Sequence, residues 1–265
     1  MTANLFNLPT SQREKFVRHF LSSVDCEIAF AGGTMATLVA SIEPIKTYME
    51  SIGFTECKEI LESSVSFETS PDGKAPRKIE QVSKATGHFF RNPDSELACS
   101  ILADKITLGT RNYTGFEDFS SALDNIVTCL TTHLENRDVV KVGLKKVNSI
   151  VMEKVTRYDA ACSIFNPAIF ALLRSGLPTS SVKIAQEVLV LETESSASLL
   201  RNTLRALDDK NSYEASLDFD VVSRKTSTSK VALETTLKEL NQVHFDLFKW
   251  AVTKEMIALM NKEGN

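Results

Sequence analysis

A repeated piece of helix punctuation restricts this chain's folding more than any other feature. Pro44 and Gly53 recur, at the same Pro-to-Gly spacing, as Pro167 and Gly176. Proline suits a first helical turn, where its fixed φ is already helical and its missing N–H would be unpaired anyway. Glycine suits the left-handed residue that closes a helix. The spacing predicts helices over 44–52 and 166–176, the second with Asn166 as its N-cap.

The elements that follow repeat in the same order. An apolar residue, Phe54 or Leu177, leads into a strand ending in Val65-Ser66-Phe67-Glu68-Thr69 or Leu189-Val190-Leu191-Glu192-Thr193. Strand-like stretches near 80–90 and 96–108 precede a helix from Gly115. Stretches near 197–207 and 213–224 precede another from about Lys230. The expectation is an α+β fold of internally duplicated β-α-β-β-β-α units, with a mainly antiparallel sheet packed against two long helices. The units are 1–136 and 137–265, joined in one compact body. The first also carries a short N-terminal helix opened by the capping box Ser11-Gln12-Arg13-Glu14, and a strand follows near 25–31.

The two long helices follow from apolar residues at helical spacing. Phe116, Phe119, Leu123, Ile126, Val127, Leu130 and Leu134 form one stripe, with Thr114 as N-cap. Leu233, Leu237, Leu240, Val243, His244, Leu247 and Phe248 form the other. Thr253 reads as the cap of a last short helix ending near Met260, with a bend near Val252. Alternation in the strand around Phe219 sets Leu217, Phe219 and Val221 on one face and Ser216, Asp218 and Asp220 on the other, so the sheet has a wet side. The stretch 70–78, rich in Pro, Gly and charge, reads as a loop between strands.

Composition narrows the class. Five widely spaced cysteines among 265 residues contain no CxxC pair and read as free, mostly buried thiols. That usage, with a first twenty residues lacking the order of a signal peptide, places the chain in the cytoplasm. The least polar stretch, 28–42, is too short to span a bilayer. A net charge of −4 disfavours binding nucleic acid by phosphate neutralisation.

No catalytic constellation is visible. The paired acids Glu192 and Glu194, Asp208 and Asp209, and Asp218 and Asp220 fit hairpin ends and solvent faces. His19, His88, His133 and His244 show no metal-ligand spacing, and Ala31-Gly32-Gly33-Thr34 reads as a strand-to-helix turn rather than a phosphate loop. No catalytic residue, metal or cofactor is assigned.

The informative polar residues interrupt an apolar strand. In 139–152, Val140, Val142, Leu144, Ile150 and Met152 share one face with Lys146 and Asn148. A bulge near Gly143 would turn Lys146 outward. Otherwise Asn148 and Lys146 enter a polar pocket between the two halves, with Tyr113 and His244 beside them as candidate ligand-binding residues.

Around this strand the sequence resembles a family of uncharacterised bacterial proteins of about 250–260 residues, sporadically distributed among genomes. The matching pieces are Asn112-Tyr113 with Gly115-Phe116-Glu117-Asp118-Phe119, then Val142-Gly143-Leu144 leading to Asn148. Val243-His244, Phe248 and Val252-Thr253-Lys254-Glu255-Met256 complete them. Lys145-Lys146 stands where the family has an Arg-aromatic pair. The resemblance implies no defined activity. Its scattered distribution suits an accessory role, such as phage defence or residence on a mobile element. The expectation is therefore a non-enzymatic binding protein with a protein partner or a homodimer. The alternative is a small-ligand binder or an unfamiliar enzyme with its site between the repeats.

Overall fold

A computed structural model describes residues 8–14, 16, 19–69, 76–134, 137–155, 157–174, 182–207, 212–224 and 230–261. Its strands are β1 (Leu21–Phe30), β2 (Glu56–Thr69), β3 (Pro76–Asn92), β4 (Leu97–Leu102), β5 (Lys105–Thr110), β6 (Val139–Glu153), β7 (Ile184–Glu192), β8 (Ser196–Ala206) and β9 (Ser212–Ser223). The helices are α1 (Met35–Ser51), α2 (Phe116–His133), the short α3 (Tyr158–Cys162), α4 (Lys230–Ala251) and α5 (Lys254–Met260). All strands join one nine-stranded sheet in the order β2-β3-β4-β5-β1-β6-β9-β8-β7, and each neighbouring pair is antiparallel.

Strand register sorts residues onto two unlike faces. One row runs Leu108, Cys26, Leu144, Val221, Ser198 across β5, β1, β6, β9 and β8. These side chains are buried and share a core with the apolar faces of α1, α2 and α4. The next row runs Gly109, Asp25, Lys145, Asp220, Leu199, Val190 on the opposite face. There the residues stay half-exposed or exposed, as the alternation of burial through the middle of β8 and β9 shows. The wet side expected from Asp218 and Asp220 is this open face.

Several sequence expectations need correction. Residues 11–14 form no helix. Instead they lie against α4, where Ser11 N donates to Asp246 Oδ1 at 2.7 Å and Lys249 pairs with Glu14. The capping box fails because side chains on α4 take the hydrogen bonds that a first helical turn would have made. Pro44 lies inside α1, a 17-residue helix capped by Thr34. Leu38, Ile42, Ile45 and Met49 drive that helix onto the core, while Pro44 and Ala40, whose carbonyl its ring disturbs, both face solvent. Gly53 does close the helix, at φ +92°.

The matching helix at 166–176 is absent as such. Asn166 caps a turn by accepting from Ala168 N, and a 3-10 turn spans Ala171–Arg174, while Gly176 lies outside the described residues. The stretch 96–108 is a hairpin, β4 and β5, rather than one strand, so four strands and not three separate α1 from α2. Gly115 occupies the cap position of α2, and Thr114 bonds Asp118 instead of the backbone. Of the stretch 70–78 expected as a loop, 76–78 instead open β3 and pair with the end of β2, while 70–75 and the Asp208-Asp209 pair fall outside the described residues. Cys26, Cys99, Cys129 and Cys162 are buried free thiols and Cys57 is an exposed one. Among the described residues no helix is long and apolar enough to cross a membrane.

Candidate functional site

The polar residues on the inward face of β6 meet α4. β6 pairs with β9 without a register shift from Val142 to Glu153, so Gly143 makes no bulge there and Lys146 keeps the inward face. Its ammonium donates to Asn241 Oδ1 on α4 at 2.5 Å and lies 5.2 Å from the centre of the Tyr113 ring. No carboxylate is paired with it among the described residues. Burial, reinforced by the nearby Arg13 guanidinium, lowers the Lys146 pKa to about 7.

One helical turn on, His244 is buried and its Nε2 lies 2.7 Å from the Leu144 carbonyl oxygen. A carbonyl only accepts, so Nε2 carries the proton. Burial and the Lys146 charge lower the His244 pKa to about 3, which fixes the ring as neutral. Nδ1 is then a bare acceptor, buried without a partner among the described residues. Asn148 is buried two residues beyond Lys146, opposite Leu217. Tyr113 packs on Phe119, and burial raises its phenol pKa.

Lys146, Tyr113 and His244 are thus brought together, with Asn148 further along the same strand face. They form an internal layer beneath α4, and none lines the grooves between α2 and α4. One such groove, of about 600 Å³, is bounded by Arg13, Phe116, Ser120, Glu234 and Gln242. Asn241 escaped the sequence reading although a signal existed, since it breaks the apolar stripe of α4 one turn before His244. Nothing local marks Arg13, which reaches the layer only through tertiary packing.

The open face carries a second polar array, centred where β1, β6 and β9 run side by side. Glu27 accepts from Lys105 and Lys141, at 3.1 and 2.9 Å. Asp218 pairs with Lys145 and Arg201, at 3.3 and 3.1 Å, with its side chain only 14% exposed. Glu214 accepts from Ser149 and Arg205. Burial pulls the Glu27 carboxyl upward, but its two lysine hydrogen bonds prevail and hold it below the ordinary range. Asp25 and Asp220 flank Lys145 in one row. Burial raises both, and Lys145 offsets that only in part. Gly109 makes room for this row, because a Cβ there would stand 2.3 Å from Asp25 Oδ1.

Among the described residues no group of three or more His, Cys, Asp or Glu is placed to hold a metal ion. The chain matches no protein-family model, and comparison with curated proteins finds no match.

Proposed function

We propose that the chain is a non-enzymatic binding protein that takes a protein partner on the open face of its sheet, across β1, β6 and β9. One observation carries this reading. On a face that the helical layer does not cover, Lys105, Lys141, Lys145 and Arg201 are each set against a carboxylate of the same face. Exposed ion pairs contribute little to stability, so folding alone gives weak reason for such an alignment. A nucleic-acid backbone would require cations in excess, whereas a protein surface of mixed charge can be matched pair by pair.

The reading includes two related halves, 1–136 and 137–265, meeting at β1 and β6. Support comes from the strand order, which leaves that central pair as β1-β5-β4-β3-β2 on one side and β6-β9-β8-β7 on the other. Each half also opens with its central strand and reaches a long helix after its sheet. The resemblance to the sporadically distributed bacterial family belongs to the same proposal, as does an accessory role.

The test is site-specific photocrosslinking in cells. A crosslinker at Val147 or Thr203 on the open face should capture a discrete partner, and one at Thr132 or Thr235 on the helices should not. Lys145→Glu with Arg201→Glu should abolish that capture in a chain that keeps its circular dichroism spectrum, at a lowered melting temperature because Asp218 loses both its cations and faces new carboxylates. Capture that is equal from both sides, or indifferent to the charge reversals, would refute the reading.

The unpartnered Nδ1 of His244 favours a second reading, a small ligand near Lys146, Asn148, Tyr113 and His244. Specific ligation would raise the melting temperature by mass action. A metabolite screen with no hit, and an unchanged profile for Asn148→Ala, would dismiss it.

A further inference from the structure

Strand β7 ends the sheet, bonded to β8 on one side and, among the described residues, to no strand on the other. Its sequence, IAQEVLVLE, is unusual for an edge. Natural sheets blunt their edges with proline, lysine, bulges or inward-pointing charge, because a row of free N–H and C=O groups is a template for another strand. β7 has no Pro, Gly or Lys, its pairing with β8 runs from Ile184 to Glu192 without a register shift, and the one inward-face charge in mid-strand, Glu187, is held within its own subunit by Phe170 N. Its aliphatic side chains are also uncovered: Ile184 is 60% exposed, Val188 56%, Leu189 49% and Val190 63%. The opposite edge, β2, differs, with Glu56, Lys58, Glu59 and Glu62 in its first half.

We propose that β7 is a dimerisation edge and that its occupant is β7 of a second copy, paired antiparallel about a two-fold axis at Leu189. The sequence of the strand argues for a copy of itself. Centred there, Val188 of each copy lies opposite Val190 of the other, and Leu189 meets its own counterpart. Val188 and Val190 thereby pair across the seam on one face of the extended sheet, and the two Leu189 side chains pair on the other. Gln186 falls opposite Glu192, an amide against a carboxylate, and Glu187 falls opposite Leu191, so no like charges within the strand are apposed. The Glu187 carboxylate is already engaged in its own subunit, accepting from Phe170 N at 2.8 Å.

A two-fold edge contact is isologous and closes after two copies, which removes the exposed edge without starting a fibre. Nine residues from each copy make a small interface, so the dimer should dissociate on dilution. Arg201 of the Asp218 pair stands opposite Val188 on β8, but the dimer contact is made along the free edge of β7 and does not depend on a partner bound to the open face.

Sedimentation over a concentration series should show the 29.3 kDa chain passing to twice that mass. Val188→Lys with Val190→Lys, both on exposed positions, should hold it at the monomer mass with an unchanged circular dichroism spectrum. In a Cys57→Ser background, a short bismaleimide should join Leu189→Cys across the axis and leave Ile184→Cys unjoined. A chain that stays monomeric at its highest soluble concentration overturns the proposal. So does a dimer that survives the two lysines, or one joined through Ile184→Cys and not through Leu189→Cys.

Discussion

Lys146 on β6 and Asn241 on α4 meet at 2.5 Å inside the sheet–helix packing, and the amide oxygen is the ammonium's hydrogen-bond acceptor among the described residues. The ammonium keeps its proton poorly there, with its pKa lowered to about 7. An unfolded lysine titrates near 10.4. Between those values the unfolded chain binds more protons at this residue than the folded one, so the Lys146 contribution makes stability rise with pH across that window. Lys146→Met should be neutral or stabilising at pH 7 and should lose this dependence. Urea unfolding of wild type and variant at pH 7 and pH 9.5 isolates the residue by difference, which cancels the thiols and phenols that titrate in the same range. Asn241→Leu alone should cost about 1–3 kcal/mol by stranding the ammonium. Adding Lys146→Met should recover most of that loss.

His244 governs the acid side. Its folded pKa lies near 3 and its unfolded value near 6.5, so the stability of the neutral, buried ring is complete above 6.5 and is lost as pH falls toward 3. His244→Gln can keep a donor toward the Leu144 carbonyl and cannot titrate. Its stability should therefore fall less than that of wild type between pH 7 and pH 4.5, as read by denaturant midpoints. Equal acid sensitivity would mean that His244 is not the buried neutral group described.

How far these features could be read from the sequence depends on where their causes lie. The break in the β6 apolar face is a period-two count, and it correctly set Lys146 and Asn148 beside Val142 and Leu144. Whether a bulge at Gly143 would turn Lys146 outward depends on register against β9, which no local signal encodes. Pro44 misled for a similar reason. Its preference for a first turn is a local tendency, outweighed by four core residues that continue the helical period on both sides of it. The Asp218 and Asp220 alternation showed the open face directly. Its ion pairs with Lys145 and Arg201 did not show, because those partners come from neighbouring strands. Asn241 was within reach as a second polar break in the α4 stripe. Arg13 was not, since the N-terminal segment is placed only by packing on α4.

The two glycines of the β1–α1 turn should fail differently when substituted. Gly33 has no room: a Cβ would lie 1.8 Å from the Ala103 carbonyl oxygen and 2.5 Å from its carbon, both backbone atoms. Gly32 has open space around it but holds φ +71°. Gly33→Ala should therefore destabilise by about 1–3 kcal/mol through overpacking, and Gly32→Ala by roughly 1–2 kcal/mol through its left-handed backbone. Asparagine separates the two causes, because it tolerates left-handed φ and is larger than alanine. Gly32→Asn should regain stability over Gly32→Ala, and Gly33→Asn should lose more than Gly33→Ala. Reversal of that order in denaturant melts would refute both assignments.

Asn166 fastens the last two helices. Its Nδ2 donates to the Trp250 carbonyl and its backbone N–H to the Ala251 carbonyl, each at 2.9 Å, at the C-terminal end of α4. Its Oδ1 accepts from Ala168 N, and Thr253 N donates back to the Ile164 carbonyl. The side chain thus satisfies a last-turn carbonyl of α4 as well as its own turn, which is more than the N-cap role expected from Pro167. Asn166→Ala removes two hydrogen bonds and should cost about 1–3 kcal/mol at these part-buried positions. Asn166→Asp keeps the acceptor but replaces the donor with a carboxylate facing a carbonyl at the negative end of a helix dipole, so it should be at least as damaging. Trp250 is the single tryptophan of the chain, and its emission reports the junction directly. Both variants should shift that emission before global unfolding, and an unmoved spectrum with wild-type stability would show that Asn166 does not hold the α4–α5 corner.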